Sequence, residues 1–464
     1  MTTPYEAGGT AAPYPSAGAP APYPTAGPTA PYVQRPGPVP HARHKAGPRG
    51  PDPTLAQPPV AAEGEAPKAS GRDRYLDLLR AVALVRVVVF HIFGWAWLTI
   101  LFPSMGVMFA LAGSLMARSL SQRTSWSVIR GRLRRLLPPM WAFALLIVPL
   151  LFVSGFKPAR DEGIWGLIKL ANWIFPLGAP PYPDPAGSPV SWMDSSWADQ
   201  AAGPLWYIRA YLWFVLASPL LLWAFRKVPW AALAFPIALT AVITTGVVNI
   251  PGETGLALTD FGVYGSCWVL GFAHNDGLFK KVPRYITVSL AAFAMAFALW
   301  WAQGHLGDEG WNFDEMPLVQ AIWSLGFVAI LLQYSPSWQK LPGRLASYDS
   351  VITLANNRAV TIYLWHNLLI MATFPLLDQL YNVPGMDRFN GALDASYSTL
   401  PLILIWPMIG IMIIAVGWVE DLAAKRRPRL WPNGVKSGRA KGGGKPPAPR
   451  EPQPAAGGSH THKR

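Results

Sequence analysis

Three groups of side chains in this sequence have the types and spacing to do chemistry. The first lies in a helical stretch from Tyr75, where Asp77, Arg80, Arg86 and His91 interrupt an apolar run. At 100° per residue, Arg80 and His91 fall within about 20° of each other and Asp77 lies about 40° from His91, so one helix face carries all three. A rise of about 1.5 Å per residue sets His91 roughly 16 Å beyond Arg80. His91 is open to two readings: a hydrogen-bonded polar spot between helices, or a general base that takes a proton from a hydroxyl, with Asp77 and Arg80 anchoring the same water-filled cleft. Arg86 points about 140° away from His91 and suits snorkelling or pairing with another helix.

The second group is Asn356-Asn357-Arg358 followed by Thr361, Tyr363, Trp365, His366 and Asn367. Tyr363 and His366 are about 60° apart, so both could face one cavity, or both could be packing hydrogen-bonders. The third group is Arg130, Arg132, Arg134 and Arg135, ahead of Pro138-Pro139. Their i,i+3 and i,i+4 spacings aim them at one patch near a membrane surface. That patch is either an anchor or a phosphate clamp for a nucleotide-bearing donor, since a guanidinium binds phosphate bidentately. No Gly-rich phosphate loop, Ser-His-Asp pattern, HExxH motif or carboxylate-rich metal spacing accompanies these groups.

The elements that must position them are membrane helices. The chain is 51% hydrophobic and 14% charged, with a mean hydropathy of +0.23, against about 25% charged residues in soluble domains. That excludes an ordinary cytosolic enzyme. One cysteine, Cys267, excludes an intramolecular disulfide framework and Cys-based metal clusters. Apolar stretches long enough to cross a hydrocarbon core recur at about 76–97, 99–118, 136–155, 204–225, 229–250, 257–273, 283–303, 316–334, 353–377 and 399–419. The expected fold is all-α, a polytopic membrane protein of about ten helices spanning 73–424. The shorter apolar segment Ile164–Leu177 reads as an interfacial or re-entrant piece.

Charge alternation supports the same count. With the N-terminus cytoplasmic, the four inner connections hold 14 Lys/Arg and two acids, while the outer ones at 155–204, 250–256, 304–316 and 378–398 hold 4 Lys/Arg and 13 acids. Both termini are then cytoplasmic, and Trp95, Trp97, Trp141, Trp206, Trp300 and Trp311 fall near the interfaces. Residues 1–72 and 425–464 read as disordered tails, the first with Tyr5, Tyr14, Tyr23 and Tyr32 at nine-residue spacing, which could dock a partner. His460 and His462 in the second are too few for a metal site. The net charge of +14 comes mostly from residues 425–464, which hold 11 basic side chains and one acid. It suits anionic lipid headgroups rather than nucleic acid.

Taken in order, the motifs resemble the acyltransferase-3 family of integral-membrane O-acyltransferases. The resemblance covers roughly residues 73–420. It rests on Leu76-Asp77 with Arg80 and Val89-Phe90-His91, on Gly106 to Gly113, and on Arg132-Leu-Arg134-Arg135 before Pro138-Pro139. Leu205-Trp206-Tyr207-Ile-Arg209 and Ile362-Tyr363-Leu364-Trp365-His366 complete it. The family implies ten helices and transfer of an acyl group, commonly acetyl from acetyl-CoA, onto a hydroxyl of a carbohydrate or small-molecule acceptor. The donor is a substrate and no bound cofactor or metal is implied. By the same resemblance His91 is the catalytic histidine, Arg80 its companion, and Arg132, Arg134 and Arg135 the donor-side arginines. The shared helix face adds Asp77 to the catalytic group, and Tyr363, His366, Arg209 and Trp206 are expected to border the substrate cavity. A transporter or flippase with a His/Arg-lined path, and a scaffold acting through the tyrosine tail, are the competing readings. A leaning to Ala, Pro and Arg over Lys and Asn is associated with GC-rich bacteria, and the expected location is a bacterial plasma membrane.

Overall fold

The computed structural model describes residues 73–161, 163–181 and 196–434. The tyrosine repeat, His460 and His462 lie outside the described residues. Among the described residues the chain is all-helical, with no strand beyond one isolated bridge between Gly307 and Gly310.

In chain order the helices begin with α1 Arg74–Phe93, α2 Trp97–Leu101, α3 Ser104–Leu120 and α4 Ser125–Val153. Next come α5 Pro158–Asp161, α6 Gly163–Lys169 and α7 Trp197–Ala202, whose Trp197 is fully buried in the core. Then come α8 Leu205–Lys227, α9 Pro229–Thr244, α10 Gly252–Asn275, α11 Leu278–Lys281, α12 Arg284–Gln303 and α13 Pro317–Gln333. The last are α14 Asp349–Asn357, α15 Ala359–Tyr381, α16 Asn390–Ser396, α17 Leu400–Ala415 and α18 Trp418–Ala423.

Each of the ten apolar segments contains a helix, but length and composition qualify fewer of them as membrane spans. Six helices are long and apolar enough: α2 with α3, α4, α7 with α8, α10, α12 and α15. A seventh is the pair Asp387–Ser396 and Leu400–Ala415, bent by 90°. The shortfall from ten has physical causes. α9 and α13 are apolar but short, and α1 carries Arg74, Asp77, Arg80 and Arg86 within twenty residues. Pro103 does not end the second segment; it separates α2 from α3 and the chain continues as one apolar stretch.

Small residues set the centre of the bundle. A Cβ at Gly113 of α3 would lie 2.2 Å from the Trp268 carbonyl oxygen of α10, and one at Gly271 would lie 2.1 Å from that of Ala110. The two helices therefore touch backbone to backbone, the packing available where lipid supplies no hydrophobic drive between helices. Around this seam Phe214 stacks on Trp268 at 5.0 Å, and the Trp268 indole donates to Ser218 Oγ at 3.1 Å. Leu145, Phe293 and Leu220 point outward instead, as side chains facing lipid do.

Both ends of α1 are fixed locally. Asp73 accepts from the Tyr75 N–H at 3.0 Å, capping the first turn. Gly94, at φ 62°, closes the last turn in the left-handed conformation, so the helix ends just past His91.

Candidate active site

Two cavities of about 530 Å³ each approach the bundle core from different sets of residues. The first is lined by Arg80, Arg118, Arg132, Arg135 and Arg426, with Asn356, Tyr207, Tyr363 and Glu420. Arg80 donates to Asn356 Oδ1 at 3.1 Å, and the Asn356 amide donates to the Asp77 and Ile352 carbonyls, both at 2.8 Å. Helices α1 and α14 are joined by this exchange, which holds Arg80 at the wall. Arg132 donates to the Leu115 carbonyl at 3.1 Å and so bridges α4 to α3.

Arg426 reaches the same cavity because the chain folds back after α18. Arg358, fully buried, pairs with Asp421 at 2.7 Å and donates to the Arg429 carbonyl at 2.5 Å. Asn357 donates to the Pro432 carbonyl at 2.8 Å. Residues 425–434, placed in the basic tail on sequence grounds, are thus bonded to the start of α15. Glu420 Oε1 accepts from the Thr361 N–H at 2.8 Å and hydroxyl at 2.5 Å, capping that same helix start. Burial pushes the Glu420 carboxyl up to about 7, against the opposing pull of the Thr361 hydrogen bonds and the Arg358 charge.

The second cavity is lined by His91, Ser196, Gln200, Asn367, Phe374 and Asp378, among others. His91 Nδ1 lies 2.8 Å from the Val87 carbonyl oxygen. A carbonyl only accepts, so Nδ1 carries a proton, and in the neutral ring Nε2 then holds the lone pair that a general base requires. His366 Nδ1 is likewise 2.6 Å from the Tyr363 carbonyl oxygen, and its Nε2 is buried without a partner.

A row of rings separates the cavities. Tyr207 and Tyr363 sit with centroids 5.0 Å apart, Tyr363 and His366 5.5 Å apart, and His366 and His91 4.8 Å apart. The tyrosines line the arginine cavity and His91 lines the other. His366, which the sequence reading put at a cavity wall, is 1% exposed and stands between them.

Several sequence expectations separate in space. Asp77 lines the arginine cavity beside Arg80 and pairs with Arg74 at 2.8 Å. It sits fourteen residues before His91, about 21 Å along the helix, and therefore does not orient that imidazole. Arg134 is not at the arginine-cavity wall; its Nε donates to the Ala423 carbonyl at 3.2 Å. Arg209 pairs with Asp260 at 2.8 Å, and Trp206 stacks on Tyr264 at 5.6 Å; neither lines either cavity. Arg86 donates to the Leu98 carbonyl at 3.2 Å and faces Asp314 at 3.6 Å, a pairing with the connection between α12 and α13 rather than with another span.

Gln200, Asp378, Glu420 and Arg426 were not singled out from the sequence. Asn367 was named there beside His366 but given no role of its own. Glu420 and Arg426 carry no local signal, because only the fold-back onto Arg358 brings them to the cavity.

No curated protein and no solved structure matches the chain. A family model for an acyltransferase domain, that of the acyltransferase-3 family, matches residues 73–419. The match takes in every helix from α1 to α17 and stops just short of Glu420. With its long apolar helices, the chain belongs to the acyltransferase-3 family and is a multi-pass membrane acyltransferase.

Proposed function

We propose that the protein is an O-acyltransferase that moves an acyl group, acetyl in the simplest case, from acyl-CoA to a hydroxyl of a cell-envelope carbohydrate or exported small molecule. In this reading all ten helical segments cross a bacterial plasma membrane, both termini are cytoplasmic, and the arginine cavity opens to the cytoplasm. The basic inner and acidic outer connections support that orientation.

The observation that carries the proposal is the position of His91, which lines one cavity while its ring contacts the row leading to the other. Arg80, Arg132, Arg135 and Arg426 present guanidinium groups to the donor phosphates. The thioester end of the donor is directed toward Tyr207 and Tyr363. His91 Nε2 accepts the proton of the acceptor hydroxyl as its oxygen attacks the thioester carbonyl. Collapse of the tetrahedral adduct breaks the carbon–sulfur bond, and the thiolate leaves and regains the proton as CoA thiol. The ester forms on the far side of the rings from the bulk of CoA, which favours a short acyl chain.

Membranes given acyl-labelled acetyl-CoA test this reading. Label should enter ester-linked, base-labile material with the intact protein and should fail to do so with His91→Ala. Equal ester formation by a His91→Ala protein present at the same level sinks the assignment.

A further inference from the structure

The histidine cavity offers hydrogen-bond acceptors and, among the described residues lining it, no Lys or Arg. Its polar groups are the His91 Nε2 lone pair, the Asn367 and Gln200 carboxamides, the Ser196 side chain and the Asp378 carboxylate. Asn367 is 5% exposed, and its Oδ1 has no partner in the protein. A buried acceptor in that position is unfavourable unless a bound molecule brings a donor to it. Phe374 supplies an apolar ring to the same wall, and Tyr397 packs on it at 6.0 Å while donating to Asp378 Oδ1 at 2.9 Å. The contrast with the other cavity, similar in volume but lined by five arginines against the four carboxylates of Asp73, Asp77, Glu420 and Asp421, is one of ligand charge: guanidinium groups are present there and, among the described lining residues, absent here. Guanidinium groups can hold an anion there, whereas here the Asp378 carboxylate, with no Lys or Arg among the described lining residues, would repel one.

We propose that the histidine cavity selects a hydroxyl-rich saccharide free of anionic groups, uncharged or amine-bearing, and that the Asn367 Oδ1 acceptor reads one of its hydroxyl or ammonium donors. The ring of Phe374 provides the face on which the apolar side of a sugar lies. This inference rests on the acceptor half of the proposed function, since it assumes that the acceptor occupies the cavity that His91 lines.

Equilibrium binding to the detergent-purified full-length protein, with no acyl donor present, provides the test. The probes are maltotriose, the fully deacetylated glucosamine trimer and trigalacturonate. Maltotriose and the glucosamine trimer should bind, with trigalacturonate at least tenfold weaker. Asn367→Ala should weaken maltotriose at least tenfold. Asn367→Asp, which keeps the side-chain shape and adds a negative charge, should tighten the glucosamine trimer and serves alone if the alanine variant does not fold. Trigalacturonate binding as tightly as maltotriose, binding by none of the three, or affinities unmoved by the Asn367 changes would overturn the selectivity. Donor-dependent ester formation, measured separately on the same preparation, keeps the two readings apart. Saccharide binding of the expected pattern without any ester would sink the reaction and leave the selectivity standing. Ester formation with anion-preferring binding would sink the selectivity alone.

Discussion

The imidazoles of His91 and His366 meet edge to face, with centroids 4.8 Å apart and an interplanar angle of 83°. They come from α1 and α15, and each has its Nδ1 tied to a carbonyl of its own helix. Two neutral rings fixed in this way turn their Nε2 lone pairs away from those carbonyls, one in a ring at a cavity wall and one buried behind it.

Removing the base at that wall should slow transfer without loosening the donor. His91→Ala is expected to lower kcat by about 10²–10⁴-fold, the range for a single general base, with little change in the acyl-CoA KM. CoA-thiol release under saturating acceptor measures both constants. A kcat within threefold of the parent would remove His91 from the chemistry.

The four arginines of α4 should not behave alike. Arg132→Ala and Arg135→Ala each delete a guanidinium from the donor cavity, and a charge-assisted hydrogen bond contributes about 1.5–3 kcal/mol. The acyl-CoA KM should therefore rise roughly 10- to 100-fold, more steeply at low salt. Arg134→Ala removes only a bond to the Ala423 carbonyl and should leave KM near that of the parent. A larger KM effect at Arg134 than at Arg135 would contradict the cavity assignment.

Glu420 gives the donor cavity a pH dependence. Its carboxyl is raised from the ordinary glutamate value near 4.5 to about 7, so between those two pH values the folded protein binds more protons than the unfolded chain. Stability should then fall as pH rises through that window, by up to about 3 kcal/mol, and level off above it. The carboxylate that appears near pH 7 also repels donor phosphates, so the acyl-CoA KM should rise between pH 6 and pH 8. Glu420→Gln should flatten the stability profile and remove its share of the KM rise. Unfolding midpoints and KM across pH 5–8 for both proteins decide the matter, and identical profiles would reject it.

The α3–α10 seam tolerates no added carbon. Gly271→Ala would drive a methyl to within 2.1 Å of the Ala110 oxygen and 2.5 Å of the Ser114 nitrogen, both backbone atoms. Separation of the helices is expected to cost at least the 1–3 kcal/mol of ordinary overpacking. A lower unfolding temperature in detergent would show it. Gly131→Ala, at a site with nothing within 4 Å, is the control and should be silent.

Periodicity and charge made much of the frame legible. Runs of about twenty apolar residues place helices because a hydrocarbon core leaves backbone groups no other way to pair. The angle between Arg80 and His91 was readable for the same reason, since a helix has a fixed period. What that period could not show is depth relative to neighbouring helices. Arg80 and His91 share a face of α1, yet α14 meets it at Arg80 and α15 meets it at His91, so one stripe serves two cavities. Arg134 and Arg135 illustrate the same limit. Adjacent in sequence, they diverge by about 100° around the helix, and only the position of α18 decides which reaches the cavity. Pairs such as Arg358 with Asp421 and Arg209 with Asp260 are long-range and have no local pattern to announce them.

The row of rings between the cavities also bears on energetics across a membrane. Under the proposed function, the bulk of CoA stays on the side where metabolism makes the thioester, and the acceptor stays on the side where no nucleotide is available to activate it. Tyr207, Tyr363, His366 and His91 then flank the point where the thioester end meets the hydroxyl, so the acyl group changes carrier there while neither carrier crosses. Such a protein exports group-transfer potential instead of a solute, and the ion gradient across the membrane is left unspent.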